Sequence, residues 1–279
     1  MNLEIKLIAL DMDGTLLNSR KEISPRTLRA LETASQKGAE IVICTGRVMQ
    51  GIRDYLSILP FVRYCVTSNG ASVFDLKENR YLHQNLIPTQ KAQKVLQLYR
   101  SSGGLAEVYS RNMSYMSMED YGDLSNRYGA SQTVRSYLLR KNEPVESLSQ
   151  LIESRTEGVE KFNLSFFPAV TYSQIWNRLN VLGGLSLTYS DIRNIEVNVH
   201  DCNKGTGLAA LAEALEIPAA QVMAIGDSLN DREMLLYAGH PVAMGNASGD
   251  IKALTDTVIH SNDEDGIAHF LEILFQQYS

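Results

Sequence analysis

The sequence lacks most of what would tie a chain to a membrane, to nucleic acid or to an oxidising compartment. No apolar run approaches the roughly 20 residues that span a bilayer. The opening stretch "MNLEIKLIAL" carries charge within its apolar segment and leads straight into a strand, so it is not expected to be a secretory leader. Positive charge is not in surplus. With 26 Lys and Arg against 32 Asp and Glu, the formal net charge is −6, which provides no electrostatic footprint for a phosphate backbone or an anionic lipid surface. Cysteine is scarce: Cys44, Cys65 and Cys202 lie far apart without a CxxC spacing, which argues against a disulfide framework or a zinc site and fits a reducing compartment. A cytoplasmic location is the expectation. Internal repeats and low-complexity segments are also missing. What remains is an ordinary globular composition, 44% hydrophobic and 21% charged over 279 residues, enough for one large domain or two moderate ones. Small molecules are the expected partners, without nucleic acid or membrane.

The pattern that is present begins with "IKLIALDMDGTLL". An uninterrupted apolar run bounded by a turn glycine reads as a strand covered on both faces, yet it ends on two carboxylates, Asp11 and Asp13. Like charges so close need a cation, a shared proton or solvent to be tolerable. Next, "SPRTLRALETASQKG" predicts a helix with Ser24 as N-cap, Pro25 at its first position, Leu28 and Leu31 on one face, and Gly38 at its end. A strand "AEIVICTGR", a helical stretch "VMQGIRDYLSIL" and a third strand "RYCVTSNGA" complete a β-α-β-α-β series. Such alternation implies an α/β fold, a doubly wound, Rossmann-like parallel sheet with helices on both faces. Between about Leu86 and Ile195 the rhythm becomes that of an α+β insert, and from "KGTGLAALAEALEIP" onward the first rhythm resumes. The expected organisation is a discontinuous α/β core, residues 1–85 and 196–279, interrupted by an α+β domain, residues 86–195.

In an open α/β sheet, ligands bind outside the carboxyl ends of the strands, where strand order reverses. The polar residues fall at such ends: Asp11 and Asp13 after the first strand, Thr45 after the second, Ser68 and Asn69 after the third, and Asp227, Asn230 and Asp231 in "VMAIGDSLND", with Lys204 opening a helix. Three or four carboxylates would then face one ammonium. A divalent cation supplies the missing compensation, and magnesium, hard and commonly held by one or two carboxylates, waters and a substrate phosphate, suits the set. Asp11 is the candidate nucleophile, and Asp13, on the same side by strand periodicity, the candidate acid and base. Gly14 permits a tight turn, the Thr15 hydroxyl and nearby N–H groups can steady an acyl-phosphate, and Lys204 and Thr45 can hold phosphoryl oxygens. Arg47 reads as a loop-bracing residue, and Asn69 with Gly70 as a turn that can also reach the site.

These residues resemble a known family. "DMDGT", "CTGR", the lysine of "NKGTGL" and "GDSLND" look like the four motifs of the haloacid dehalogenase superfamily. "SNGA", "GDSLNDREML" and "MGNASGDIK…DEDGIAHFLE" are similar, more narrowly, to its Cof-type phosphatases, which carry a class IIB cap between the second and third motifs. The resemblance implies Asp11 as nucleophile and Asp13 as acid/base. Phosphate ligands would be Met12, Gly14, Thr45, Gly46, Lys204 and Asn230, and Mg2+ would be held by Asp11, the Asp13 carbonyl and Asp227. Thr15, Arg47, Asn69 and Asp231 would support them. "HDCNKG" departs from the run that usually precedes the lysine. The expected activity is a magnesium-dependent phosphatase of small phosphorylated metabolites, sugar phosphates first. Alternatives are a phosphomutase, a phosphatase of a coenzyme or nucleotide phosphate such as FMN or pyridoxal phosphate, and, more distantly, a non-catalytic regulatory or binding module that gathers the same residue types.

Overall fold

The computed structural model describes residues 5–100, 102–189 and 194–276. Among them are thirteen strands. These are β1 (Leu7–Leu10), β2 (Glu40–Cys44), β3 (Tyr64–Thr67), β4 (Ser72–Asp75), β5 (Arg80–Gln84), β6 (Leu105–Ser110), β7 (Met113–Ser117), β8 (Asn142–Val145), β9 (Lys161–Ser165), β10 (Leu185–Thr188), β11 (Ile195–Val199), β12 (Val222–Gly226) and β13 (His240–Ala243). The chain divides into two compact units, one of Met1–Arg47, Arg53–His83 and Asn203–Ser279, the other of Val48–Ile52 and Gln84–Cys202.

In the first unit every residue of β1, β3 and β12 is buried. Strands apolar on both faces must be covered on both, and parallel pairing supplies the covering helices as crossovers. The sheet runs β13-β12-β1-β2-β3-β4-β5. β1 pairs parallel with both β2 and β12, β2 with β3, and β12 with β13. The chain steps from β1 outward through β2 and β3, then returns on the opposite side as β12 and β13. Strand order therefore reverses between β1 and β12, and their carboxyl ends flank the crevice. The α/β doubly wound reading holds for this unit. The first crossover helix, Pro25–Gln36, starts as expected, with the Ser24 hydroxyl accepting from the Thr27 N–H at 3.0 Å. It turns Thr27, Ala30, Leu31 and Ala34 inward.

The third strand is shorter than the sequence suggests. "RYCVTSNGA" contains β3 and then a tight turn, Ser68–Gly70, after which β4 returns antiparallel. Ser68, Asn69 and Gly70 all have positive φ, 53°, 59° and 93°, a conformation that Asn and Gly tolerate and that ends the run. Gly70 is needed for a second reason. A Cβ there would lie 2.0 Å from the carbonyl oxygen of Asn203, the residue before Lys204.

In the second unit the sheet runs β10-β11-β9-β6-β7-β8. Val108, Phe162, Leu164, Ile195 and Val197, on one face, join side chains of the helices Thr89–Arg100, Leu148–Glu153 and Ala169–Leu182 in one apolar core. A smaller core on the other face joins Leu105 and Met116 to Leu124, Ala130 and Leu138. The β6–β7 hairpin closes on Arg111 and Asn112, both at positive φ, the signature of a two-residue type I′ turn. The core resumes at Asn203, later than the expected residue 196, because β11 pairs with β9 and β10 in this second sheet.

Gly70→Ala should therefore cost about 2–4 kcal/mol, combining the positive-φ penalty with overpacking against backbone. Urea unfolding of the variant measures it, and a loss under about 1 kcal/mol would contradict the close approach.

Candidate active site

Asp11 leaves β1 still in the ladder, its N–H donating to the Ile225 carbonyl of β12 at 3.0 Å. The chain then folds back, Leu16 N–H donating to Asp11 O at 3.2 Å and Leu17 N–H to Met12 O at 2.8 Å. Gly14 sits at the apex with φ 91°, and a Cβ there would come within 2.5 Å of Asp227 Oδ2. Only glycine lets this turn lie against the end of β12. The Thr15 hydroxyl uses that approach, donating to Asp227 Oδ1 at 3.0 Å.

Lys204 enters from the helix Lys204–Ala214, whose first turn is capped by Asn203 and Thr206 in reciprocal hydrogen bonds. Its side chain is fully buried, with Nζ 2.5 Å from both Asp11 Oδ1 and Asp231 Oδ1. The other Asp231 oxygen accepts from the N–H groups of Asp227 and Ser228, each at 3.0 Å, and from the Ser228 hydroxyl at 3.2 Å. Asp231 is thus engaged at both oxygens. Asp11 is not: its Oδ2 is buried without a hydrogen-bond partner.

Asp11, Asp227 and Asp231 each bring one carboxylate oxygen within 4.8 Å of the others. Burial and the Asp231 charge raise the Asp11 pKa well above the usual carboxylate range, against the pull of Lys204. Burial and the Asp231 charge likewise push Asp227 up to about 6, with the Thr15 hydrogen bond opposing. Burial works against the Lys204 charge, but Asp11 and Asp231 outweigh it and raise its pKa. One ammonium does not neutralise three carboxylates. The orphaned oxygen and the hard, all-oxygen donor set fit a divalent cation such as Mg2+, held by Asp11 and Asp227 with Asp231 supporting from behind.

Asp13 lives in the opposite electrostatic setting. Arg47 donates Nε to its Oδ2 at 2.7 Å and Nη2 to its Oδ1 at 2.6 Å, while Lys21 Nζ reaches Oδ1 at 2.8 Å. Burial disfavours the Asp13 charge, but the two cations win and lower its pKa to about 2. The Arg47 guanidinium also lies 5.5 Å from the Tyr55 ring centroid, and the Tyr55 hydroxyl donates to Lys21 O at 3.2 Å. Arg47 is therefore a direct clamp on Asp13 rather than a loop brace.

Thr45 ends β2 beside β1, its hydroxyl accepting from the Arg47 N–H at 3.1 Å; Gly46 lies between them, and Asn69 N–H donates to Thr45 O at 3.1 Å. Met12 points its side chain into the core. Asn230 accepts from the Ser228 hydroxyl at 2.6 Å, on the turn that carries Asp231. Two contributors were not singled out by the sequence: Lys21 sits in a turn at φ 61°, without periodicity to place it, and Asn246, within "MGNASGDIK", donates to Gly14 O at 2.8 Å.

A family model described as haloacid dehalogenase-like hydrolase matches residues 8–271. The chain is 33% identical to Phosphatase YwpJ of Bacillus subtilis (strain 168), covering 97% of this chain and 100% of the relative. It is 31% identical to 5-amino-6-(5-phospho-D-ribitylamino)uracil phosphatase YcsE of the same organism, covering 96% and 94%. Among solved structures, a haloacid dehalogenase-like hydrolase from B. subtilis aligns with TM-score 0.81 at 30% identity, covering 96% of this chain and 99% of the other.

Cation binding here must displace protons, so it weakens below the Asp227 pKa of about 6. The sign for the metal-free protein follows. Because that pKa lies above the unfolded value of about 4, the protonated form stabilises the fold at low pH, and this contribution is lost as pH rises through about 6. Mg2+ should raise the melting temperature more at pH 7.5 than at pH 5, by about 3 °C for each tenfold in affinity. Equal shifts at both pH values, or none, would contradict the site.

Proposed function

The chain belongs to the haloacid dehalogenase-like hydrolases and is a phosphatase, and from that premise we propose that it hydrolyses small phosphorylated metabolites, sugar phosphates first, through a magnesium-dependent aspartyl-phosphate on Asp11. The observation that carries the mechanism is the asymmetry at Asp11, with one oxygen held by Lys204 and the other buried and unpartnered.

In the first half-reaction one Asp11 carboxylate oxygen attacks phosphorus, the ester O–P bond breaks, and the leaving oxygen takes a proton from Asp13. An alcohol departs and a mixed anhydride remains on Asp11. In the second half Asp13, now ionised, takes a proton from a water attacking the same phosphorus. The anhydride O–P bond breaks, releasing inorganic phosphate and the Asp11 carboxylate. Lys204 stays beside the reacting oxygen and offsets the charge that gathers on the phosphoryl group. When bound, Mg2+ would keep Asp11 ionised and offset the substrate's charge. The pairing of Asp13 with Arg47 and Lys21 favours its proton-accepting form, the one the second half needs. Loosening that pairing lets Asp13 carry a proton in the first half. Lys21 is the partner placed to release, since its side chain is 58% exposed against 20% for Arg47.

The similarity to a relative named for a phosphoribitylamino-uracil supports a polyol-borne phosphate as substrate. A small-molecule partner and a cytoplasmic location complete the reading. The latter is supported by three buried free thiols, and among the described residues no helix is long and apolar enough to cross a membrane.

Phosphate release from sugar, coenzyme and nucleotide phosphates, with and without Mg2+, tests the proposal. Asp11→Asn should lower kcat by about 10⁴-fold or more. Asp13→Asn should lower it by about 10²–10⁴-fold, most for esters of poorly leaving alcohols. Near-normal turnover by Asp11→Asn would overturn the mechanism, and isomerised sugar phosphate in place of free phosphate would make the enzyme a mutase.

A further inference from the structure

Asp13 is gripped by two cations that loops must hold in place. Its side chain is 40% exposed, and both oxygens are taken: Oδ2 by Arg47 Nε at 2.7 Å, Oδ1 by Arg47 Nη2 at 2.6 Å and Lys21 Nζ at 2.8 Å. A two-point fork from a guanidinium fixes the plane of a carboxylate as well as its place. Long cationic side chains lose rotamer freedom in keeping one geometry, and at exposed sites the ion pair alone contributes little to offset it. Lys21, 58% exposed, is borne on a turn closed by its N–H to Asn18 O at 2.9 Å and by Asn18 N–H to Glu22 O at 3.0 Å. Arg47 follows β2 at the point where the chain leaves the first unit. A grip built from two loops needs a further support.

One side chain meets both cation-bearing residues. Tyr55 lies in the short helix Arg53–Leu56, where the chain is back in the first unit. Its hydroxyl donates to Lys21 O at 3.2 Å, and its ring centroid lies 5.5 Å from the Arg47 guanidinium carbon. A ring face attracts a cation through its quadrupole and leaves the N–H groups of the fork free for the carboxylate. Core packing does not account for Tyr55. No residue of its helix is buried, and with Lys21, Pro25 and the exposed Ile58 it lines an open cavity of about 510 Å³.

We propose that Tyr55 is a positioning residue for Asp13, its ring steadying Arg47 and its hydroxyl the Lys21 turn, so that the carboxyl keeps one orientation for proton transfer. The proposal rests on the phosphatase reading above, in which Asp13 protonates the leaving oxygen, and adds the side chain that holds it there. Tyr55 acts through Arg47 and Lys21, on proton transfer alone. Its role is therefore separable from a contribution to folding.

Two leaving groups make the separation. p-Nitrophenolate departs from phosphorus without a proton, whereas the alkoxide of a sugar phosphate needs one. For both esters kcat/KM reports events up to transfer of the phosphoryl group to Asp11. The ratio of kcat/KM for the best sugar phosphate to that for p-nitrophenyl phosphate thus isolates proton donation. Tyr55→Leu removes ring and hydroxyl together and should lower this ratio about tenfold. Tyr55→Phe keeps the ring against Arg47 and should lower it only about two- to threefold. An unchanged or raised ratio in Tyr55→Leu overturns the proposal, including one left unchanged by equal losses on both esters, which is what a purely structural role produces. Tyr55→Phe as damaging as Tyr55→Leu overturns it as well, because the ring would then hold nothing. Should Tyr55→Leu fail to fold, Tyr55→Phe decides, and an unchanged ratio counts against the proposal. In each of these cases the phosphatase reading stands. Wild-type release from p-nitrophenyl phosphate but from no sugar phosphate would leave Asp13 no alkoxide to protonate and would also overturn the role of Tyr55. No release from either ester would remove the phosphatase reading and this one together.

Discussion

The Lys204 ammonium, 2.5 Å from both Asp11 and Asp231 and wholly shielded from water, is the interaction on which the first unit is organised. A cation at the start of a helix works against the helix dipole, and burial works against its charge. Two carboxylates offset both, and the fold delivers Asp11 from the end of β1 and Asp231 from the turn that follows the adjacent parallel strand β12. The helix bearing Lys204 is in turn fixed by the Asn203 cap and by the glycine turn after β3, which leaves room for no side chain. Loss of the ammonium would leave the buried Asp11 and Asp231 and the half-buried Asp227 without their counter-charge. Strand order, glycine placement and helix capping therefore converge on one charge-balance problem.

That problem is solved only in part, and the remainder is what makes the site chemical. Asp11 and Asp227 are pushed toward holding protons, while Asp13, two positions along the chain from Asp11, is pushed toward losing its own. Environments that drive neighbouring carboxyls apart in this way divide labour between them. The excess negative charge around Asp11 asks for a cation, and the excess positive charge around Asp13 keeps its carboxyl ionised. The second unit handles charge differently, matching its buried lysines one to one with glutamates.

Much of this was legible in the sequence, for a physical reason. Strands buried on both faces have no tolerance for polar residues, so Asp11, Thr45 and Asp227 could stand only at strand ends, and parallel topology puts those ends on one side. The cap on the Pro25–Gln36 helix was readable because Ser-Pro is local chemistry. What escaped was decided by tertiary pairing. "RYCVTSNGA" reads as one strand until positive φ at Ser68, Asn69 and Gly70 folds it into a hairpin. Ile195–Val199 has the composition of either sheet and joins the second through its pairing with β9. Lys21 and Arg47 meet Asp13 through turns, which carry no periodicity. In the second sheet Glu107, Lys161 and Glu196 alternate with apolar residues as on an ordinary half-solvated strand; only their burial shows otherwise.

In the proposed reaction the phosphoryl group rests on Asp11 between two proton transfers. The direct measurement is to react the protein with a radiolabelled sugar phosphate and Mg2+, quench in acid within the first turnover, digest, and map the label by mass spectrometry. The expected result is an acid-stable, base- and hydroxylamine-labile phosphoryl group on the peptide containing Asp11, accumulating further in Asp13→Asn as the second half slows. Turnover with no covalent label in either protein, or label on a residue other than Asp11, would contradict it.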